Sequence, residues 1–77
     1  DEQARVARIG AALDEVGERF PGVVIEHKPA GHGVHTRRVS PEVAAEANAA
    51  ASTAAHEADA DVLERGGKDI VEFAVRH

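Results

Sequence analysis

The chain has 77 residues, a net charge of −5 and no cysteine. A chain of this length forms one small domain with a modest core, and the lack of cysteine excludes disulfides and thiolate chemistry. Its acidic balance, with two Phe and neither Tyr nor Trp, lacks the basic field and stacking surfaces of nucleic-acid-binding proteins. No apolar run approaches the ~20 residues of a membrane helix. We therefore expect neither nucleic acid nor a membrane as a partner.

Residues 2–20 have the periodicity of an amphipathic helix. Five apolar residues recur at intervals of three and four, which places them on one stripe: Val6, Ile9, Leu13, Val16 and Phe20. Pro21-Gly22 then predicts the end of this helix.

A hairpin is predicted next. Residues 23–28 are β-branched and then alternating, which is typical of a strand. Residues 29–33 predict a turn, and residues 34–39 predict a second strand that pairs with the first in antiparallel fashion.

The second half repeats this order. Ser40-Pro41-Glu42 predicts a helix start, since Ser caps, Pro fits the first position and an acid favours the positive end of the dipole. An alanine-rich helix over 41–58 is followed by a strand at 62–64, a glycine turn at 65–68 and a strand at 69–76. The order α-β-β-α-β-β predicts an α+β two-layer sandwich, with two helices on one face of a four-stranded antiparallel sheet.

Strand alternation assigns side chains to the two faces of this sheet. The apolar sets should meet the helices, and the opposite face should carry the polar residues Glu26, Lys28, His35, Arg37 and Glu72. It should also keep some apolar members, namely Val24, Val39, Leu63 and Ile70. One interpretation is a set of cross-strand ion pairs on an open sheet, each contributing little.

Three short motifs point to a more specific interpretation. Pro21-Gly22 is followed by Glu26-x-Lys28 and, after six residues, by His35-x-Arg37, while Gly67-Lys68 precedes Glu72. In this order and spacing they resemble the cap domain of trehalose-6-phosphate phosphatases, a family of the haloacid dehalogenase superfamily. The family pattern is close to P-G-x-x-x-E-x-K, then H-Y-R, then G-K-x-x-x-E. Thr36 stands here in place of the family's Tyr.

The resemblance implies an α/β lid that closes over a catalytic core domain of the same protein. In such an enzyme a core Asp attacks the phosphate of trehalose 6-phosphate with the help of Mg²⁺, and water then releases trehalose in cytoplasmic trehalose synthesis. The core motif D-x-D-G-T is missing here. We therefore expect residues 1–77 to be a single cap domain from a larger phosphatase, inactive alone, with no catalytic residue and no bound cofactor.

The resemblance also implies roles for single residues. Glu26 and Glu72 would accept hydrogen bonds from sugar hydroxyls, and Lys28 and Arg37 would donate to them. His35 occupies the family's His position, and its role is less defined.

Three alternatives remain open at the level of sequence. His27, His32 and His35 could ligate zinc, although we expect His27 and His35 on opposite faces and His32 at a mobile hairpin tip. The chain could instead be a non-catalytic protein-binding module with an open sheet. It could also be the cap of a phosphatase for another sugar phosphate, since a fold does not fix a substrate.

Overall fold

A computed structural model describes residues 1–76 of the chain. Six elements follow in the predicted order: α1 (Glu2–Arg19), β1 (Val24–Lys28), β2 (Gly31–His35), α2 (Pro41–Ala58), β3 (Leu63–Gly67) and β4 (Ile70–Ala74). The strands form one antiparallel sheet in the order β1-β2-β4-β3. The predicted fold class is confirmed. Neither helix in the described residues is long and apolar enough to cross a membrane.

Both helices begin at side-chain caps. The Asp1 carboxylate accepts a hydrogen bond from the Ala4 amide at 2.8 Å, and the Ser40 hydroxyl accepts one from the Val43 amide at 3.2 Å. Pro41 then occupies the first position of α2, as predicted. Each cap satisfies an amide that has no partner within its helix.

The core lies between the helices and one face of the sheet. Its fully buried large side chains come from α1 and from the two central strands: Ile9, Leu13, Val16, Val34 and Phe73. The helix α2 contributes only small groups, Ala47, Ala51 and Ala55, which are completely buried. The apolar stripe read from the sequence of α1 is therefore the larger part of the core on the helix side.

The second strand differs from its prediction. It covers Gly31–His35 rather than residues 34–39, so the turn that joins it to β1 shrinks to Pro29-Ala30. A side chain at position 31 would collide with the backbone of Phe73 and Ala74 in β4. The glycine that reads as a loop residue is therefore required at the centre of the sheet, where strands approach closely.

The last hairpin also differs. The strand β3 extends through Gly67, and the turn is Lys68-Asp69 rather than residues 65–68. The positive φ that the sequence assigned to the two glycines falls on Asp69, at 59°. Aspartate tolerates this conformation better than most residues, so the turn forms without glycine at that place.

Candidate functional site

The sheet face turned away from the helices, here called the open face, is ordered in three rows by the strand register. The middle row crosses all four strands through Glu26, Gly33, Glu72 and Arg65. The row beside the β1–β2 turn contains Lys28, Gly31, Ala74 and Leu63, and the row at the other end contains Val24, His35, Ile70 and Gly67. Four of the five predicted polar residues therefore lie on this face as strand side chains.

An ion pair on the open face joins the edge strand β1 to the central strand β4. Lys28 Nζ on β1 lies 2.7 Å from Glu72 Oε2 on β4, although β2 runs between these strands. The pair can form across β2 because Gly31 and Gly33 present no side chain there. This hydrogen bond raises the pKa of Lys28 and lowers the pKa of Glu72 from their ordinary values. Both groups are therefore charged at neutral pH.

A second pair lies beside the first. His35 Nε2 lies 2.8 Å from Glu26 Oε1, and since the carboxylate can only accept, the imidazole donates. The Glu26 side chain is half exposed at 50% and that of His35 is 36% exposed. A carboxylate that is held in position and still reached by solvent is available to a ligand.

Arg37 is not a strand residue, in contrast to its prediction. The chain leaves the sheet after His35, and the Val39 amide donates to the Thr36 oxygen at 3.3 Å, which closes a turn around Arg37 and Arg38. Arg37 is exposed there, and it makes no side-chain hydrogen bond or ion pair within residues 1–76. Its guanidinium is therefore free to bind a ligand.

These side chains surround a depression of about 600 Å³. Its lining brings together three of the predicted residues and some neighbours: Gly22, Val24, Glu26, His35, Arg37 and Arg38. Lys28 and Glu72 do not line the depression, but their charges interact with side chains that do. The negative charge of Glu26 contributes to raising the pKa of Lys28, and His35 contributes to lowering the pKa of Glu72.

Sequence reasoning missed several residues of this surface. Arg38 lines the depression, Arg65 belongs to the middle row, and Gly33 forms the floor of that row between Glu26 and Glu72. The signal for Gly33 was the alternation of Gly31, Gly33 and His35 against His32, Val34 and Thr36. Val39 was wrongly placed on this face, since it is partly buried against the core.

The three imidazoles of the zinc alternative do not converge. His35 lies on the open face with Glu26, whereas His27 bonds to Asp14 of α1 on the opposite side of the sheet. His32 is not at a hairpin tip but is a strand residue with 5% exposure. Across residues 1–76, no group of three or more His, Asp or Glu side chains is placed to hold a metal ion. What the open face offers is a set of charged hydrogen-bond donors and acceptors.

Comparisons with known proteins identify the fold. No family model matches the chain, and neither does any curated protein. Among solved structures, it is similar to a trehalose-6-phosphate phosphatase from Aspergillus fumigatus with a TM-score of 0.81 and 23% identity over 96% of this chain. It is also similar to the C-terminal domain of a Candida albicans trehalose-6-phosphate phosphatase, with a TM-score of 0.81 and 21% identity over 96% of this chain. A third structure, a trehalose-6-phosphate phosphatase related protein, has a TM-score of 0.80 and 20% identity over 95% of this chain.

The similarity covers only part of those proteins. The chain spans 28% of the Aspergillus structure, 27% of the Candida structure and 31% of the third. Its fold is thus that of one region of solved trehalose-6-phosphate phosphatases, which is consistent with the cap domain implied by the sequence motifs. At these identities the comparison is one of fold.

Proposed function

We propose that this chain is the cap domain of a trehalose-6-phosphate phosphatase, and that its open face binds the trehalose moiety while a core domain of the same protein hydrolyses the phosphate. The observation that carries the proposal is the depression lined by Glu26, His35 and Arg37 beside the Lys28–Glu72 pair. It lies where the sequence motifs and the shared fold coincide. The expected setting is cytoplasmic trehalose synthesis.

The charged groups of the open face suit a polyol. Two carboxylates, Glu26 and Glu72, lie among four cations, Lys28, Arg37, Arg38 and Arg65, so the surface offers both strong acceptors and strong donors. Hydrogen bonds with an ionised partner are shorter and stronger than neutral ones. A disaccharide has many hydroxyls and no charge away from its phosphate, and each hydroxyl can both donate and accept.

The individual roles follow from the family motifs and from the hydrogen-bonding chemistry of each side chain. Glu26 and Glu72 would accept from sugar hydroxyls, and Lys28 and Arg37 would donate to them. His35 holds the Glu26 carboxylate at 2.8 Å and can also contact the sugar at the rim of the depression. A sugar with a missing or inverted hydroxyl would leave one of these groups unpaired, which is how such a surface discriminates.

The shape of the site supports a lid function. A binding pocket normally covers most of its ligand, whereas this depression opens onto one side of a sheet. The second wall would be the catalytic core, which would also supply the attacking Asp and the Mg²⁺ site. Closure of the cap would then exclude water from the reacting phosphate.

The test uses the intact phosphatase that contains this chain. Glu26→Gln, Lys28→Gln, Arg37→Gln and Glu72→Gln should each lower kcat/KM for trehalose 6-phosphate by about tenfold or more, as expected for one lost charge-assisted hydrogen bond. p-Nitrophenyl phosphate does not extend to the cap, so its kcat/KM should change by less than about twofold.

Glu46→Gln is the matched control, since it removes one exposed carboxylate from α2, away from the open face. Glu46→Gln should leave kcat/KM unchanged for both substrates. Equal losses on both substrates in the four variants would reject the assigned roles. If the four variants instead lower kcat/KM selectively for a different sugar phosphate, the cap function stands and trehalose is rejected as its ligand.

A further inference from the structure

Three side chains on the helix side of the sheet form a hydrogen-bonded chain, here called the histidine relay: Asp14 of α1, His27 of β1 and His32 of β2. The Nδ1 atoms of His27 and His32 lie 2.8 Å apart, and His27 Nε2 lies 2.9 Å from Asp14 Oδ1. His32 Nε2 lies 2.7 Å from the backbone oxygen of Val6. The relay therefore connects both strands of the first hairpin to two positions of α1 that lie about two helical turns apart.

These contacts fix how many protons the two rings carry. The Val6 oxygen can only accept, so His32 Nε2 bears a proton. One of the two facing Nδ1 atoms must also bear a proton, because two lone pairs would otherwise meet at 2.8 Å. His27 Nε2 must donate to the Asp14 carboxylate, which only accepts. Three donor hydrogens on two imidazoles are one more than two neutral rings possess.

Burial indicates where the additional proton lies. His32 is 5% exposed, whereas the side chains of His27 and Asp14 are 47% and 56% exposed. Charge is disfavoured in the interior and favoured beside an opposite charge. His27 is therefore the ring best placed for the additional proton, because its Nε2 faces the Asp14 carboxylate and its Nδ1 faces the His32 ring.

The buried end of the relay lies between α1 and the sheet. His32 is the cross-strand partner of Phe73 in β4, and α2 contributes alanines to the core. A Cβ atom at Gly10 of α1 would lie 2.7 Å from His32 Cε1 and 3.4 Å from His27 Nδ1, so the rings occupy the space that this glycine leaves. Within residues 1–76, Asp14 is the charged group that bonds to either ring.

We propose that the histidine relay is a proton-dependent clasp that fastens helix α1 to the β1–β2 hairpin. Unfolded imidazoles lose their additional proton near pH ~6.5 and are mostly neutral above it. The histidine relay, in contrast, needs one proton more than two neutral rings carry. The folded chain thus binds more protons than the unfolded chain in this range, and linkage requires the stability to fall as pH rises.

The histidine relay is connected to the open face through the backbone of β1. His27 stands between Glu26 and Lys28, whose side chains point to the other side of the sheet. Loss of the proton removes one of the two hydrogen bonds of His27, either to the Asp14 carboxylate or to the His32 ring, and so loosens the attachment of the hairpin that carries these residues to α1. The inference concerns the folding of this chain and does not depend on which ligand the open face binds.

Asp14→Asn is the decisive variant. The Asn amide can donate to His27 Nε2, so all three hydrogen bonds form with two neutral rings and no additional proton. The position is exposed, so the variant should fold. Glu15→Gln is the matched control, because Glu15 is the exposed neighbouring acid and bonds to neither ring.

The measurement is urea unfolding between about pH 6 and pH 8.5, the range around imidazole titration. Relative to Asp14→Asn, the unfolding equilibrium constant of the unaltered chain should rise with pH, by up to about tenfold per pH unit, the limit for one proton. Glu15→Gln should follow the unaltered chain. The ratio of the unfolding constants of the unaltered chain and Asp14→Asn removes contributions from the other histidine–carboxylate pairs, His35–Glu26 and His56–Glu64, because both chains contain them.

Imidazole ¹⁵N chemical shifts near pH ~7, where an unperturbed ring is mostly neutral, give an independent reading. One ring of the His27–His32 pair should be predominantly doubly protonated in the unaltered chain, and both should be neutral in Asp14→Asn. Two neutral rings in the unaltered chain would overturn the proposal. Unfolding constants that stay in a fixed ratio between the unaltered chain and Asp14→Asn would overturn it as well.

Discussion

Gly10→Ala should destabilise the chain, although alanine is the better helix former. The position lies in the middle of α1, where alanine is favoured over glycine by about 1 kcal/mol. The added Cβ, however, would lie 2.7 Å from Cε1 and 3.0 Å from Nε2 of His32. His32 is 5% exposed and bonded to the Val6 oxygen at 2.7 Å, so its ring cannot withdraw without loss.

The expected net effect can be worked from these terms. Overpacking of this kind costs about 1–3 kcal/mol, and weakening the buried hydrogen bond adds about 1 kcal/mol. Subtracting the gain in helix propensity of about 1 kcal/mol leaves a loss of about 1–3 kcal/mol. For a domain of this size, Tm should fall by about 5–20 °C.

Thermal and urea denaturation followed by circular dichroism measure this loss. Ala11→Gly is the control, because Ala11 is exposed on the same helix and reports the propensity term alone, about 1 kcal/mol of destabilisation. A Gly10→Ala variant that is more stable than the unaltered chain would refute the tight contact between α1 and His32.

Three further predictions concern stability and binding. Asn48 Oδ1 is buried without a hydrogen-bond partner, so Asn48→Leu should raise the free energy of unfolding by about 1 kcal/mol in urea denaturation, and a loss would contradict the unpaired state. The hydrogen bonds from Arg5 to Asp59 and from Lys28 to Glu72 lower the pKa of both carboxyls. Their stabilisation is therefore present above the ordinary carboxyl pKa of about 4 and is lost as pH falls through the lowered values. The free energy of unfolding should therefore fall less steeply with decreasing pH in Arg5→Gln and Lys28→Gln than in the unaltered chain. The same decline in all three chains would contradict this prediction. The isolated chain should bind trehalose weakly or not at all by calorimetry, because in the proposed function a core domain supplies the second wall of the site, and a tight complex would contradict the proposed lid.

Much of the fold was predictable because local and long-range preferences agree. The apolar stripe of α1 and the Ser40-Pro41 start of α2 each define an element without reference to the rest of the chain. The bounds of β2 were wrong for a tertiary reason. Gly31 and Gly33 have low strand propensity, yet Gly31 lies against the backbone of β4, and Gly33 lies beneath side chains of the open face, those of Glu26, His35 and Ile70.

The candidate site was predictable in its strand residues and less so elsewhere. Alternation placed Glu26, Lys28, His35 and Glu72 on one face, because the side-chain period of a strand does not depend on its exact ends. Arg37 reaches the same depression from a turn, which alternation cannot describe. The buried position of His32 was missed because it requires the register of three strands.

Exchanging the charges of Lys28 and Glu72 separates sugar binding from structural ion pairing. In the intact protein that contains this chain, Lys28→Glu combined with Glu72→Lys preserves an opposite-charge pair across β2 but exchanges the positions of the hydrogen-bond donor and acceptor. If these residues bind trehalose, kcat/KM for trehalose 6-phosphate should stay at least about tenfold below that of the unaltered enzyme. Recovery to within about twofold of the unaltered enzyme would show that only the ion pair mattered, and would contradict recognition of the sugar by the open face.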